Sequence, residues 1–169
     1  MSCSLRLLGP VGRAHRAQFE QLTRGAGLFR EEEVATAVEL LDESLAGDAD
    51  YQFVGAFEGD QLVGYACWGP TPGTDATHDL YWIVVDRGHQ GAGIGTQLLA
   101  EVEHRLTTHD ARLIVVETSS RTDYERTRRF YEARGYTRAA TIPGYYAPGD
   151  DLVIYTKDLT PGDLASTAP

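Results

Sequence analysis

The stretch RGHQGAGIGTQLLAEVEHRL, residues 87–106, places three glycines within five positions, directly before a predicted helix. Apolar residues recur every four positions after the glycines and mark one face of this helix: Ile94, Leu98, Val102 and Leu106. A helix amino terminus carries N–H groups without partners in the helix and a partial positive charge, so it attracts anions. Glycines in front of it let the main chain approach a phosphate group closely. The stretch therefore predicts a loop that binds a pyrophosphate group.

The order of the glycines excludes two common kinds of phosphate-binding loop. No Lys-Ser or Lys-Thr pair follows the last glycine, which excludes a P-loop. The G-x-G-x-x-G order of dinucleotide-binding domains is absent, and the acidic residue that reads the ribose has no clear counterpart. The spacing that fits is Q-x-x-G-x-G, at Gln90, Gly93 and Gly95, after an apolar strand ending in VVD. Spacing alone leaves open a purely structural turn.

Hydrophobic periodicity and turn residues predict strands and helices on both sides of the loop. The predicted strands are residues 4–8, a hairpin over 51–69, 78–86, 111–120, 136–142 and 151–159. The predicted helices are 11–24, a segment with Val34, Val38, Leu41 and Leu45 that stops at Gly47, the helix after the glycines to about residue 109, and 123–135. The strand at 78–86 is expected to be central and buried on both faces near its end. A strand, a crossover helix and a strand in the second half imply one parallel pair in an otherwise antiparallel sheet, and thus an α/β sandwich.

Length and composition set the class of protein. The chain of 169 residues is short enough for one domain, expected over residues 1–158, with a flexible tail at 159–169. It has no apolar run long enough for a membrane span or a signal peptide, so we expect no membrane association and a cytoplasmic location. A formal charge of -10 argues against general nucleic-acid binding. Cys3 and Cys67 match no ligand or redox spacing and are expected to be reduced thiols, and the five histidines predict no metal site.

A second motif, RRFYEARGY at residues 128–136, follows the Q-x-x-G-x-G loop. These two motifs, with the order of elements from about residue 4 to 157, resemble the GNAT N-acetyltransferase superfamily. The resemblance implies the GNAT fold: a mixed, mostly antiparallel seven-stranded sheet with flanking helices and a central parallel pair that splays apart between 80–85 and 112–117. It also implies an enzyme that uses acetyl-CoA as co-substrate, without a metal, to acetylate a primary amine by direct attack in a ternary complex. Two alternatives stay open, a non-catalytic acyl-CoA-binding or sensing module and a transferase of a longer acyl group such as succinyl.

The resemblance places the coenzyme on the strand and loop of the first motif. The pantetheine arm is expected to pair with the main chain of Ile83, Val84 and Val85. The diphosphate is expected on the main-chain amides of Gln90, Gly91, Ala92, Gly93, Ile94, Gly95 and Thr96. Arg87 stands where this family often has proline, and either adds a contact to the coenzyme or is solvated.

The reaction needs a base and an acid, because an amine with a pKa of about 10 is protonated near pH 7 and the departing thiolate must gain a proton. The resemblance assigns the acid to Tyr131, with a purely structural core position as the alternative. It assigns the base to Glu117, whose pKa burial is expected to raise, with water held by Asp79 or Tyr81 as the alternative. The amide near Val84 is expected to bind the carbonyl oxygen.

The sequence departs from the family pattern ahead of the second motif. The family often has an Asn there that contacts CoA, whereas this chain has Tyr124, and the connection from Glu117 is two residues longer. Arg126 and Thr127 are further candidates for the role of that Asn. The departure weakens any transfer of acceptor identity from amino-terminal acetyltransferases.

Candidate acceptor residues lie in a predicted loop and between the first two helices. In the loop at 143–151, Tyr145 and Tyr146 are candidates to line the acceptor site, and Asp150 and Asp151 are candidates to bind an ammonium group. The alternative is that these residues are ordinary loop packing. Phe29 and Arg30 are expected on the opposite lip, where Arg30 is a candidate to hold a substrate carboxylate, and Tyr81 is a further wall. A small amine, an amino acid, a peptide amino terminus and a polyamine all remain open as acceptors. An exposed apolar edge on the last strand would favour a homodimer.

Overall fold

The elements of the computed structural model follow the predicted order along the chain. The structure describes residues 6–47 and 50–160. Its strands are β1 (Arg6–Gly9), β2 (Gln52–Glu58), β3 (Gln61–Pro70), β4 (Thr77–Val85), β5 (Leu113–Ser119), β6 (Thr137–Ala147) and β7 (Asp150–Asp158). Its α-helices are α1 (Arg16–Gly25), α2 (Glu31–Ala46), α3 (Ile94–Thr108) and α4 (Glu125–Glu132). Cys3, the first two residues of the predicted strand at 4–8, and all but two residues of the predicted tail lie outside the described residues.

The first of two compact units comprises Met1–Pro70 and Asp79–His104. Its strands are ordered β1-β2-β3-β4, with antiparallel pairing of β1 to β2 and of β2 to β3. The helices α1 and α2 supply apolar side chains to its core, among them Phe19 and Leu41, which belong to one buried cluster with Tyr65 and Cys67 of β3. The helix α2 ends at Gly47, which has a φ of 106°, a left-handed conformation that suits glycine.

The second unit comprises Thr71–His78 and Arg105–Pro169, and its antiparallel strands are ordered β5-β7-β6. The first two residues of β4 also belong to this unit, and just before them the Ala76 carbonyl accepts a 2.8 Å hydrogen bond from the N–H of Arg112. Since β4 has residues in both units, the strands form one sheet in the order β1-β2-β3-β4-β5-β7-β6. The neighbouring strands β4 and β5 are the parallel pair, and α3 is the crossover helix between them in the chain. The predicted seven-stranded mixed sheet is therefore confirmed, whereas its splay stays a prediction.

Three details of the predicted fold are wrong. The last strand, β7, is paired on both sides, so the edge strand at this end of the sheet is β6, and a homodimer stays a prediction. The predicted loop at 143–151 is mostly strand, since β6 runs to Ala147 with an irregular register after Ile142. The strand β4 is not buried on both faces near its end: only Thr77, Leu80 and Val84 are buried, one side chain in every three or four.

The described residues also bear on the membrane, metal and thiol predictions. None of the helices within residues 6–47 and 50–160 has both the length and the apolar character needed to cross a membrane. No group of three or more His, Cys, Asp or Glu side chains in the same ranges is arranged to hold a metal ion. Cys67 is a buried free thiol, and burial raises its pKa, so it is protonated at neutral pH.

Candidate active site

The loop after β4, residues 86–93 and called the glycine loop below, has two glycines in a left-handed conformation. Gly91 and Gly93 both have a φ of 82°, which side chains other than glycine rarely adopt. A Cβ at either position would meet no atom within 4 Å, so conformation and not packing requires glycine there. The helix α3 begins immediately afterwards at Ile94, whose side chain is buried. The main chain thus lies open directly in front of a helix amino terminus.

A histidine between two carboxylates anchors the start of the glycine loop. The Asp86 carboxylate accepts a 3.0 Å hydrogen bond from the N–H of Gly88 and lies 2.7 Å from Nδ1 of His89. The other ring nitrogen, Nε2, lies 3.0 Å from the Glu58 carboxylate at the end of β2. The hydrogen bonds to Asp86 and then to Glu58 raise the pKa of His89 above its ordinary value. Sequence reasoning missed this anchor, although the Asp-x-x-His spacing in front of the glycines is a visible signal.

The loop is also tied to its own strand and to the first helix. Gln90 donates its side-chain amide to the Val85 carbonyl over 3.5 Å. Arg87 donates from Nη2 to the Ala26 carbonyl over 3.2 Å, beyond the end of α1. Arg87 therefore contacts the protein itself, an arrangement that neither sequence interpretation of this residue included. In β4, Val84 is buried and Ile83 and Val85 are half-buried, and their contact with a pantetheine arm stays a prediction.

In the second unit, Tyr131 of α4 lies in a cluster of aromatic rings. Its side chain is 5% exposed, and its ring centroid lies 5.3 Å from that of Tyr136 and 6.4 Å from that of Tyr155. Burial raises the pKa of Tyr131 above its ordinary value of 10.0. The phenol is therefore neutral at physiological pH and retains the proton that an acid must donate.

Glu117 of β5 is exposed, so the expected burial of its carboxyl group is wrong. The reason is the alternation of side chains along a strand, which buries its neighbours Val116 and Thr118 on one face and turns Glu117 to the other. Val116 pairs with Tyr155, and Tyr155 packs near Tyr131. Tyr131 and Glu117 consequently lie on opposite faces of the β5–β7 pair.

Glu117 lies near enough to Tyr146, one of the residues predicted to line the acceptor site, for its charge to act on the phenol. Burial, and after it the charge of Glu117, raises the pKa of Tyr146 to about 12. The neighbouring Tyr145 has its ring centroid 5.0 Å from that of Tyr146, almost perpendicular to it. Both rings are about half exposed, at 57% for Tyr145 and 47% for Tyr146. They present an exposed aromatic surface, in which Tyr146 is the ring that the charge of Glu117 reaches.

The two aspartates considered as partners of an ammonium group hold the β6–β7 hairpin, and their contact with a substrate stays a prediction. Asp151 accepts a 2.8 Å hydrogen bond from the N–H of Gly144, and its own N–H donates to the Ser120 hydroxyl over 2.8 Å. Asp150 accepts a hydrogen bond from the Ser119 hydroxyl. These contacts fix the irregular part of β6 that carries the two tyrosines.

The acceptor candidates of the first unit are divided between its core and its surface. Phe29 is half-buried against the apolar cluster of this unit. Arg30 caps α2: its N–H donates to the Glu33 carboxylate over 2.7 Å, and its Nε lies 3.6 Å from the same group. Burial and the nearby Asp79 raise the pKa of Tyr81 to about 12. The ring of Tyr81 lies 5.6 Å from that of Tyr51, a neighbour that sequence reasoning missed.

The segment ahead of α4 contains the residues considered in place of the family's Asn. Tyr124 ends a short 3-10 turn, with the Arg121 guanidinium 5.4 Å from its ring centroid, and Arg126 is exposed on α4. Arg128, which sequence reasoning did not single out, donates to the carbonyls of Ser119 at 2.6 Å and Arg121 at 2.9 Å. Which residue contacts the coenzyme here stays a prediction.

Comparison with known proteins decides the family. A model described as the Acetyltransferase (GNAT) family matches residues 16–136, which include both sequence motifs. The chain belongs to the GNAT acetyltransferase family. The predicted family and the GNAT fold are thereby confirmed.

Individual GNAT proteins add detail. The N-alpha-acetyltransferase RimI of Mycobacterium tuberculosis (strain ATCC 25618 / H37Rv) is 36% identical over 110 residues, which span 63% of this chain and 65% of that relative. A crystal structure of a GNAT-family protein from Desulfovibrio desulfuricans is 40% identical, with a TM-score of 0.90 over 92% of this chain and 100% of that chain. A Salmonella typhimurium structure with its cofactor acetyl-CoA is 19% identical, with a TM-score of 0.75 over 98% of this chain and 100% of that chain, and shows the fold alone.

Proposed function

We propose that this GNAT protein is an acetyl-CoA-dependent N-acetyltransferase that acetylates a primary amine by direct attack in a ternary complex. The observation that carries the proposal is the glycine loop, whose left-handed Gly91 and Gly93 open onto the amino terminus of α3. A thioester is an activated acyl group, so acetyl-CoA supplies the acetyl group when it is bound. The residues of the chain must then bind it, orient the amine and move two protons.

The glycine loop fits the diphosphate of the coenzyme. The space around Gly91 and Gly93 is open, so phosphate oxygens can approach the main chain without meeting a side chain. The amides of residues 90–96 would donate to those oxygens, and the positive end of the α3 dipole favours their charge. The main chain of Ile83 to Val85 would hold the pantetheine arm, as the family resemblance implies.

Two side chains of the second unit supply the proton transfers in this proposal. Glu117 accepts a proton from the substrate ammonium group, directly or through water, because an amine attacks only with a free electron pair. Tyr131, on the opposite face of the β5–β7 pair, donates its phenol proton to the departing thiolate, so the two side chains act on different atoms of the reaction. An amide near Val84 donates to the carbonyl oxygen as negative charge develops there.

The acceptor proposed first is the amino terminus of a peptide. The resemblance to a protein named N-alpha-acetyltransferase supports this choice over a free amino acid or a polyamine. The exposed rings of Tyr145 and Tyr146 beside Glu117 suit an extended substrate, because they offer apolar area next to the proposed base. Tyr81, Phe29 and Arg30 are the proposed contacts on the first unit.

A thiol-release assay tests the proposal. Acetyl-CoA is mixed with peptides that have a free amino terminus, with the same peptides blocked by acetylation, with amino acids and with spermidine. We expect thiol release with free peptides, none with blocked ones, and a mass increase of one acetyl group on the product. Calorimetry with CoA accompanies the assay. CoA binding without thiol release from any amine would favour the non-catalytic binding module, and turnover only with succinyl-CoA would favour the longer acyl donor.

Location and assembly complete the proposal. We place the enzyme in the cytoplasm, where free thiols such as that of Cys67 are kept reduced. We keep residues 1–158 as one functional domain and a homodimer as the assembly to test by light scattering.

A further inference from the structure

One side chain ties the glycine loop to the turn between α1 and α2, residues 26–30. Arg87 extends from the loop, and its Nη2 donates to the Ala26 carbonyl over 3.2 Å. The N–H of Ala26 still donates to the Leu22 carbonyl over 3.1 Å, so the accepting carbonyl belongs to the carboxyl-terminal end of α1. Such carbonyls carry partial negative charge and lack partners within the helix, and a cationic donor suits them.

The neighbouring residue, Gly27, leaves space for the guanidinium because it has no side chain. Gly27 has a φ of 70°, and a Cβ there would overlap Nη2 of Arg87 and lie 3.1 Å from its Cζ. Any other residue at this position would therefore strain the main chain and displace the arginine. Two segments separated by 61 positions in the sequence are thus adapted to one contact.

The contact joins two parts of the proposed site. On one side, the next residues after Arg87 lead into the anchored His89 and the left-handed glycines. On the other side, the contacted Ala26 lies three and four residues before Phe29 and Arg30 of the same turn, the proposed acceptor contacts. This exposed hydrogen bond is thus a direct link between the loop and the turn.

We propose that Arg87 is a positioning residue that couples coenzyme binding in the glycine loop to the ordering of the α1–α2 turn, and through it to acceptor binding. The inference rests on the proposed function, because it requires CoA to bind this loop. Coupling between two binding sites is reciprocal, so an acceptor held by the ordered turn must in return strengthen coenzyme binding.

Two variants break the contact, and each has a matched control. Arg87→Gln removes the guanidinium, whereas Arg13→Gln removes an exposed arginine that makes an equivalent bond, 3.3 Å from Nη2 to the Leu45 carbonyl. Gly27→Ala displaces Arg87, whereas Gly73→Ala introduces the same left-handed strain, at a φ of 74°, where a Cβ meets no atom within 4 Å. Arg87→Lys, which keeps a cationic donor, is expected to restore part of the effect.

The main measurement is amide hydrogen exchange of residues 26–30 with and without saturating CoA, which needs no acceptor. We expect CoA to slow exchange in the parent protein and both controls by about fivefold or more, and to have little effect in Arg87→Gln and Gly27→Ala. With a peptide that turns over, the KM for the peptide is expected to rise about fivefold in those two variants, with less change in kcat. Thermal melting confirms that each variant is folded.

The outcomes separate this inference from the proposed function. Normal CoA affinity by calorimetry, with exchange of the turn unaffected by CoA in the parent protein or equally slowed in Arg87→Gln, overturns the coupling alone. Absence of any heat with CoA overturns the proposed function and the coupling with it. Slowed exchange that is lost in both variants and kept in both controls supports the coupling.

Discussion

Two segments, the glycine loop of the first unit and the β6–β7 hairpin of the second, each contain a glycine with a φ of 82°, Gly93 and Gly149 respectively. They are nevertheless held in place by different contacts. The loop is held partly from within, since Asp86 binds Gly88 and His89 only two and three residues away, and partly by the distant partners Glu58 and Ala26. The hairpin is fixed by Ser119, the last residue of β5, and by Ser120 directly after it, which lie 31 positions from their partners Asp150 and Asp151. The first segment is therefore visible in the sequence as a motif, and the second depends on strand pairing.

The largest expected effect is on kcat, and it tests whether a residue of the second unit takes part in the chemistry without affecting coenzyme binding in the first. We expect Tyr131→Phe to lower kcat about 100-fold, because a positioned acid contributes that much to proton transfer. The Kd of acetyl-CoA, measured by calorimetry, should not change. Tyr136→Phe is the control, since it removes the hydroxyl of a second buried tyrosine in the same aromatic cluster. Equal kcat values for both variants would show that Tyr131 is a core residue.

The next prediction compares the two glycines directly. Gly93→Ala and Gly149→Ala each place a Cβ at a φ of 82° with no atom within 4 Å. Both should lose about 1 kcal/mol of stability in urea unfolding, from the strain of the left-handed conformation. Only Gly93→Ala should weaken CoA binding, by about tenfold, because its Cβ would stand where the diphosphate approaches. A similar loss of CoA affinity in both variants would contradict the role of the loop.

A third change tests whether the hairpin contributes to acceptor binding and not to coenzyme binding. Asp151→Ala removes the acceptor for the N–H of Gly144, so we expect a loss of about 1 kcal/mol in the free energy of unfolding. The KM for the acceptor should rise several-fold, because Tyr145 and Tyr146 lose their support, while CoA affinity stays unchanged. Asp151→Asn keeps a carbonyl oxygen at that position and should recover much of the loss. An unchanged acceptor KM in the alanine variant would remove the hairpin from the site.

The smallest effect concerns the anchor of the glycine loop and depends on pH. The carboxylates of Asp86 and Glu58 raise the pKa of His89 above its ordinary value of 6.5, so the folded protein holds this proton more tightly than the unfolded chain. The resulting stabilisation is full below pH 6.5 and is lost as the pH rises through the raised value. Urea unfolding should show His89→Gln less stable than the parent by up to about 1 kcal/mol at pH 6, and the difference should shrink at pH 9. The same substitution in a Glu58→Gln background should show a smaller pH dependence.

The candidate site was predictable where its signal is local. The Q-x-x-G-x-G spacing located the loop, whereas the left-handed conformation of Gly91 and Gly93 is a finding of the structure that the spacing did not predict. Glu117 illustrates the opposite case, because the face of the sheet to which it turns depends on the pairing of β5 with β7. The tyrosines at 145 and 146 were recognised by type but placed in a loop, since nothing local shows that Asp151 extends β6 past Gly144.

The sequence by itself determined the order of elements, the family and the place of the glycine loop, because helix periodicity, glycine conformation and short motifs act within a few residues. Only the tertiary structure decided which strand is the sheet edge, which side chains face solvent, and that Glu58 and Ala26 hold His89 and Arg87. Those contacts join residues 31 and 61 positions apart. No pattern within a window of a few residues encodes them, because they arise only when separate elements pack against each other.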